Sequence, residues 1–176
     1  AYGNGDRPEA DGIVLSAPAV WSRDHMPFYQ RWALWLGVRT LPWMKLTGQG
    51  LEIRASDNED MLRALDRDPL VIKATRVDVL HGLTNLMDQA LAAAPKMDAR
   101  ALILYGREEQ LIPESARKAL LARLPQNRRW RYAEYNSGFH MLLRDLNAGL
   151  VLRDIAEWVV EPNAPAGTPV AARAGR

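Results

Sequence analysis

Apolar residues along the chain fall into two kinds of run. "GIVLSAP" (Gly12 to Pro18) and "RALILYG" (Arg100 to Gly106) are short and unbroken. Neither alternates apolar with polar, which is how strands buried on both faces of a parallel sheet read. "WRYAEY" (Trp130 to Tyr135) is aromatic-rich and partly alternating, and predicts a third strand. Between the second and third strands, "PESARKALLARLP" has Pro113 suited to a first helical turn and Pro125 suited to a stop. Ala116, Leu120 and Leu124 share one face of that helix. Strand, helix, strand in this order implies parallel pairing through a right-handed crossover. A last helix is predicted from about Asn147 to Val160, with Leu152, Ile155 and Val159 as its core face. The following "PNAPAGTPVAARAGR" is rich in Pro, Ala and Gly and predicts a disordered tail over residues 162–176.

The segment from about Ser22 to Lys96 has the longer, helical period. Pro27 to Leu36 reads as one helix, ended by Gly37. Ser56 with Glu59 fits a capping box ahead of Met61, Leu62 and Leu65. Leu80, Leu83, Met87, Ala90 and Ala94 step by three and four, an amphipathic face stopped by Pro95. The pattern is therefore α/β, with a mostly helical insertion (22–96) dividing a parallel-sheet core made of residues 1–21 and 97–161.

Bulk properties narrow the function classes. The 176 residues suit one domain with a real core, and 48% hydrophobic with 25% charged is a globular profile. A net charge of +2, with scattered basic residues among which Arg far outnumbers Lys, argues against a nucleic-acid surface. No apolar run approaches the roughly 18 residues of a membrane span. The polar, turn-rich start "AYGNGDRPEADG" carries no signal-peptide pattern. The absence of Cys excludes disulfides and thiolate chemistry and fits a cytoplasmic setting. The chain begins at Ala1, with residues that read as the end of a helix and a loop. A fragment or a processed chain is expected on that basis, with simple removal of an initiator Met as the alternative.

Open α/β sheets place their sites at strand ends. Two predicted strand ends carry ionisable residues: "YGREEQLIP", with Glu108 and Glu109, and "NSGFHM", with His140. A carboxylate and an imidazole on neighbouring strand ends suit an orienting pair, the acid fixing the tautomer while the His acts as base. The bland alternative for a loop His is a solvated or hydrogen-bonded bystander. His25 and His81 lie on helical or flanking segments and read as satisfied polar contacts. No H-x-H or H-E-x-x-H occurs, so no metal is expected, and no G-x-G-x-x-G or P-loop occurs, so no nucleotide cofactor is expected.

"ADGIVLSAPAVW", "DPLVIKATRVD", "ILYGREEQLIP" and "GFHMLLRD" together resemble the C-terminal part of the monoacylglycerol lipase and lysophospholipase branch of the α/β-hydrolases, the serine aminopeptidase S33-like family. The likeness runs in order from about Ala10 to Val160. It implies the C-terminal half of an α/β-hydrolase fold, with parallel strands, flanking helices and residues 22–96 as the helical cap over an acyl-binding site. In that family the run Y-G-x-x-D-x-I-I-P carries the triad acid and G-x-H-M-L-L-R-D carries the triad His. Carried over, His140 is the base and Glu109, three residues after Gly106, is the acid, with Glu108 as its competitor. Glu replaces the usual Asp here, a choice some α/β-hydrolases make.

The nucleophile is the larger departure. No G-x-S-x-G elbow occurs, and Ser16, Ser22, Ser56, Ser115 and Ser137 all lack its flanking glycines. The resemblance places the elbow serine just ahead of Ala1. What it implies is the C-terminal portion of a serine ester hydrolase acting on monoacylglycerol or lysophospholipid-like substrates, inactive alone. An N-terminal half or partner chain would complete the sheet. The alternative is a non-catalytic hydrolase-like module that binds lipid or protein, and a peptidase or haloperoxidase-like enzyme on the same fold is a third. The insertion's aromatics, Trp21, Phe28, Tyr29, Trp32, Trp35 and Trp43, read either as a lipid-facing surface in peripheral contact with a membrane or as packing of the cap. For any single Trp, packing is the favoured reading.

Overall fold

A computed structural model describes residues 10–48, 50, 52–126 and 129–160. The predicted tail, residues 162–176, lies outside the described residues. Three strands form a parallel sheet in the order β1 (Ile13–Ser16), β4 (Ala101–Gly106), β5 (Trp130–Tyr135). Ile13 aligns with Ala101, Ala101 with Trp130, and Gly106 with Tyr135. These are the three expected strands in the expected pairing. Residues 101 to 105 of the central strand are wholly buried, so its unbroken apolar run follows from having both faces covered.

The alternation of β4 divides the core in two. Ala101, Ile103 and Tyr105 point to one face, against Leu91 and Ala94 from one side and Leu120 and Leu124 from α4 (Glu114–Arg123) and its end. Leu102 and Leu104 point to the other, against Leu142 and against Val151 and Trp158 of α5 (Ala148–Val160). Ala116, Leu120 and Leu124 are buried as the spacing predicts. The core face of α5 matches expectation only at Ile155, which is half-buried against the core. Val151, Asp154 and Trp158 are buried, while Leu152 and Val159 are exposed. A polar residue holds the middle of that stripe, because the Tyr135 hydroxyl donates to Asp154 Oδ2 over 2.9 Å. Burying Asp154 is tolerable once it accepts this bond, which hydropathy alone does not foresee.

The insertion contains α1 (Phe28–Thr40), β2 (Lys45–Thr47), α2 (Glu59–Arg67), β3 (Ala74–Arg76) and α3 (Val77–Ala93). β2 and β3 pair antiparallel across the intervening α2, a small two-stranded sheet that the helical pattern does not announce. Gly37 does not end α1: the helix runs through it to Thr40 and stops ahead of Pro42. A Cβ at Gly37 would stand 3.2 Å from Val77 Cγ1, so the glycine serves the close approach of α1 and α3. The buried stripe of α3 is Val77, Thr84 and Leu91, while Leu83 and Ala90 face solvent. Thr84 occupies a core position by returning its hydroxyl to the Leu80 carbonyl, 2.9 Å.

The start of α2 also differs from expectation. Its N-cap is Asn58, whose Oδ1 accepts from the Met61 N–H over 3.1 Å. Ser56 forms no capping box there; it is fully buried and bonds elsewhere. Asn58 Nδ2 also donates to the Arg144 carbonyl, 3.1 Å, tying the insertion to the segment between β5 and α5. Asn58→Ala removes both bonds, and is expected to cost about 1–2 kcal/mol in chemical denaturation.

Candidate active site

Because β4 and β5 are parallel, the loops that follow them leave the same edge of the sheet. One carries Glu109 and the other His140. Two glycines bring these loops into contact. A Cβ at Gly106 would lie 1.9 Å from the Gly138 carbonyl oxygen, and one at Gly138 would lie 3.1 Å from Gly106 Cα. Two backbone bonds close the seam: the Arg107 N–H to the Tyr135 carbonyl, 2.9 Å, and the Glu108 N–H to the Gly138 carbonyl, 3.0 Å. Arg117 steadies the strand end by donating to the Gly106 carbonyl, 3.2 Å, and pairing with Glu134, 2.9 Å.

Within this seam His140 Nδ1 stands 2.7 Å from Glu109 Oε2. The Glu109 side chain is 2% exposed and that of His140 is 24% exposed, so the acid is enclosed and the imidazole reaches the surface. The other carboxylate oxygen, Oε1, accepts from the backbone N–H groups of Leu111, 2.8 Å, and Ile112, 3.2 Å. These bonds fix the carboxylate plane. With Nδ1–H donating to the carboxylate, Nε2 is left as the basic nitrogen. Glu108, the competing acid, is exposed and does not bond His140.

Burial pushes the Glu109 carboxyl upward, but the bond from His140 and the two backbone N–H donors outweigh it, and the net shift is below the ordinary glutamate value. A lowered folded value means stability that is complete above the unfolded value and lost as pH falls through the folded one. The advantage of the native protein over Glu109→Gln should therefore persist at neutral pH. It should shrink as pH falls below the ordinary glutamate value and vanish once pH is below the lowered folded one, read as converging denaturation midpoints.

None of the five serines hydrogen-bonds His140 among the described residues. Ser16 pairs within the sheet opposite Leu104, Ser22 is buried with its hydroxyl unpartnered, and Ser115 and Ser137 are exposed. No cluster of three or more metal-ligating side chains occurs among the described residues. His81 lies apart from the pair, 3.5 Å from Asn85, and borders a cavity of about 470 Å³ between α1 and α3. Trp32, Trp35 and Phe28 line that cavity, with Arg23 and Arg31. Neither His140 nor Glu109 lines it.

The aromatic residues of the insertion do not pack inward. Phe28, Tyr29, Trp32, Trp35 and Trp43 are exposed, and α1 buries no residue fully. Packing holds for Trp21 alone of the set, half-buried with its indole N–H on the His25 carbonyl, 3.1 Å. No described helix is long and apolar enough to cross a membrane.

Gly106, Gly138 and Asp145 stand in the quoted runs, but the sequence assigned none of them a role of its own. The first two had a signal, since each glycine stands at a strand end flanking an ionisable loop. Asp145 is buried, 5% exposed, and its carboxylate accepts from the Phe139 N–H, 2.8 Å, and the Ser56 hydroxyl, 2.6 Å. Asp145 closes the run "GFHMLLRD", but the pattern gives it no role beside that of His140.

Two solved structures share this arrangement of strands and helices. The monoacylglycerol lipase of Paleococcus ferrophilus superposes with a TM-score of 0.71 at 24% identity, over 86% of this chain and 59% of its own. A soluble variant of the monoglyceride lipase of Saccharomyces cerevisiae, solved with a substrate analogue, gives 0.67 at 13% identity, over 86% and 56%. The chain thus spans less than two thirds of either relative, and at these identities the likeness establishes the α/β-hydrolase fold. The sequence itself fits the family model for serine aminopeptidase, S33, along residues 1–147. That match takes in both strand-end loops and the whole insertion ahead of them, and so the chain belongs to the S33 serine aminopeptidase family of α/β-hydrolases.

Proposed function

We propose that His140 is the general base and Glu109 the orienting acid of a serine ester hydrolase acting on monoacylglycerol or lysophospholipid-like esters. The observation that carries this reading is the 2.7 Å bond from His140 Nδ1 to an enclosed carboxylate. It leaves Nε2 free to take a proton from a hydroxyl and return it to the leaving alcohol. The nucleophile and oxyanion hole come from residues outside these 176. Support comes from the absence of G-x-S-x-G here and from the 59% and 56% coverage of the two lipases. Residues 22–96 act as a cap, and an N-terminal half or partner chain completes the sheet beside β1. The exposed Phe28, Tyr29, Trp32 and Trp43 make that cap lipid-facing, and they suit a cytoplasmic protein in peripheral contact with a membrane surface.

The test uses the intact protein that contains this chain. It is expected to react with a fluorophosphonate probe and to hydrolyse p-nitrophenyl butyrate and monoacylglycerol, while the 176 residues alone do neither. A silent intact protein would replace this reading with the non-catalytic lipid- or protein-binding module. Turnover by the 176 residues that disappears on His140→Ala would place the nucleophile among the five serines.

A further inference from the structure

The segment Arg54–Asn58 leads into α2, far from the His loop in sequence, yet it is bonded along that loop. The Met141 N–H donates to the Ala55 carbonyl, 2.9 Å. The Leu146 N–H donates to Asp57 Oδ1, 2.8 Å, and Asn58 Nδ2 to the Arg144 carbonyl, 3.1 Å. The Arg54 N–H donates to Gln110 Oε1, 2.9 Å, which ties the segment to the acid loop as well. At the centre of this contact are two buried polar side chains, Ser56 at 0% and Asp145 at 5% exposed. The Ser56 hydroxyl donates to Asp145 Oδ1 and its oxygen accepts from the Asn58 N–H, 3.2 Å. Asp145 Oδ2 holds the backbone N–H of Phe139, the residue before His140.

We infer that Asp145 is a positioning residue for His140, and that Ser56 supplies the second half of the device. Beside the bond from His140 to Glu109, the backbone of its two neighbours is held among the described residues: Phe139 N–H by Asp145, Met141 N–H by Ala55. The imidazole is therefore aimed by two things together, its bond to Glu109 and a loop clamped from the insertion. Two polar groups buried at a backbone junction have a cost that bare packing does not require, and they recover it only through these bonds. Loop rotation on loss of the clamp moves the ring relative to Glu109 and to any hydroxyl at Nε2. A misplacement of about 1 Å costs roughly 100-fold in rate.

The inference rests on the proposed base role of His140, so the experiment separates the two. Three variants of the intact protein are compared: Asp145→Ala, Asp145→Asn and Ser56→Ala. Asn can keep both contacts, its carbonyl accepting from Phe139 and its amide donating to Ser56 Oγ, so that only the acceptor of the Ser56 proton is lost. Asp145→Ala is expected to lower kcat for p-nitrophenyl butyrate by roughly 100-fold with KM unchanged. Ser56→Ala should give a smaller loss of the same kind, and Asp145→Asn should stay near the native rate. In proton NMR, the deshielded Nδ1–H resonance that marks the Glu109 bond should be present in the native protein and Asp145→Asn, and shifted or broadened in Ser56→Ala. If Asp145→Ala does not fold, the Ser56→Ala and Asp145→Asn pair decides the matter. A native rate and an unshifted resonance in Ser56→Ala, or an Asn variant as impaired as Ala, overturns the positioning role. Absence of that resonance in the native protein overturns the His140–Glu109 reading. Absence of hydrolysis with the resonance intact overturns the enzyme reading alone, leaving the positioning role to be judged on the resonance.

Discussion

His140→Ala in the intact protein should lower kcat for ester hydrolysis by roughly 10⁶-fold, and Glu109→Gln by roughly 10⁴-fold. The second figure follows from how Glu109 is held. Its Oε1 accepts two backbone N–H groups, and Oε2 accepts the proton on His140 Nδ1. Glutamine has one oxygen to divide between these duties. With its amide toward His140, the ring must accept at Nδ1, which puts the proton on Nε2 and removes the base. With the amide toward Leu111 and Ile112, donors face donors in an enclosed site, a penalty of about 1–3 kcal/mol. Either orientation disables the pair without emptying it. The measurement is kcat against KM on p-nitrophenyl butyrate, with circular dichroism to verify folding. A Glu109→Gln variant that keeps more than a tenth of the native rate would transfer the orienting role to another group.

The second large effect concerns stability. Gly106→Ala should cost about 3 kcal/mol or more, at the upper end of what overpacking does. A Cβ there would lie 1.9 Å from the Gly138 carbonyl oxygen and 2.8 Å from the Phe139 nitrogen, and backbone cannot rotate away as a side chain can. Relief requires parting the two loops, which breaks the seam beneath Glu109 and His140. At the usual slope for a chain of this size the melting temperature falls by about 6–12 °C. Gly138→Ala should be milder, because its nearest obstacle is Leu142 Cδ2, the far end of a flexible side chain. Equal losses at the two glycines would show that the seam, as drawn from the 1.9 Å approach, is not what limits either site.

The three strands and the two paired side chains are legible in the sequence. Unbroken apolar runs such as "ALILY" are legible because a strand covered on both faces admits nothing else, and the flanking Gly and Pro mark its ends. The helix 114–123 is legible for a similar reason: one apolar stripe, one Pro at each end. Glu109 and His140 were found because the resemblance to the family fixed their offsets from Gly106 and from "MLLRD". Only the tertiary structure decided which helix faces are buried. Leu152, Val159 and Leu83 match an apolar stripe as well as Val151 and Leu91 do, and the choice between stripes depends on where a neighbour sits. Polar residues confuse the reading further. Thr84 and Asp154 enter the core because each finds a hydrogen-bond partner there, a carbonyl of its own helix for one and Tyr135 for the other. Ser56 illustrates the same limit: its spacing to Glu59 is that of a cap, yet its hydroxyl serves Asp145 across 89 positions of sequence. Local spacing records what a side chain can do for its own element. A bond made between distant segments depends on the packed chain bringing them together, and that is where the clamp on His140 was decided.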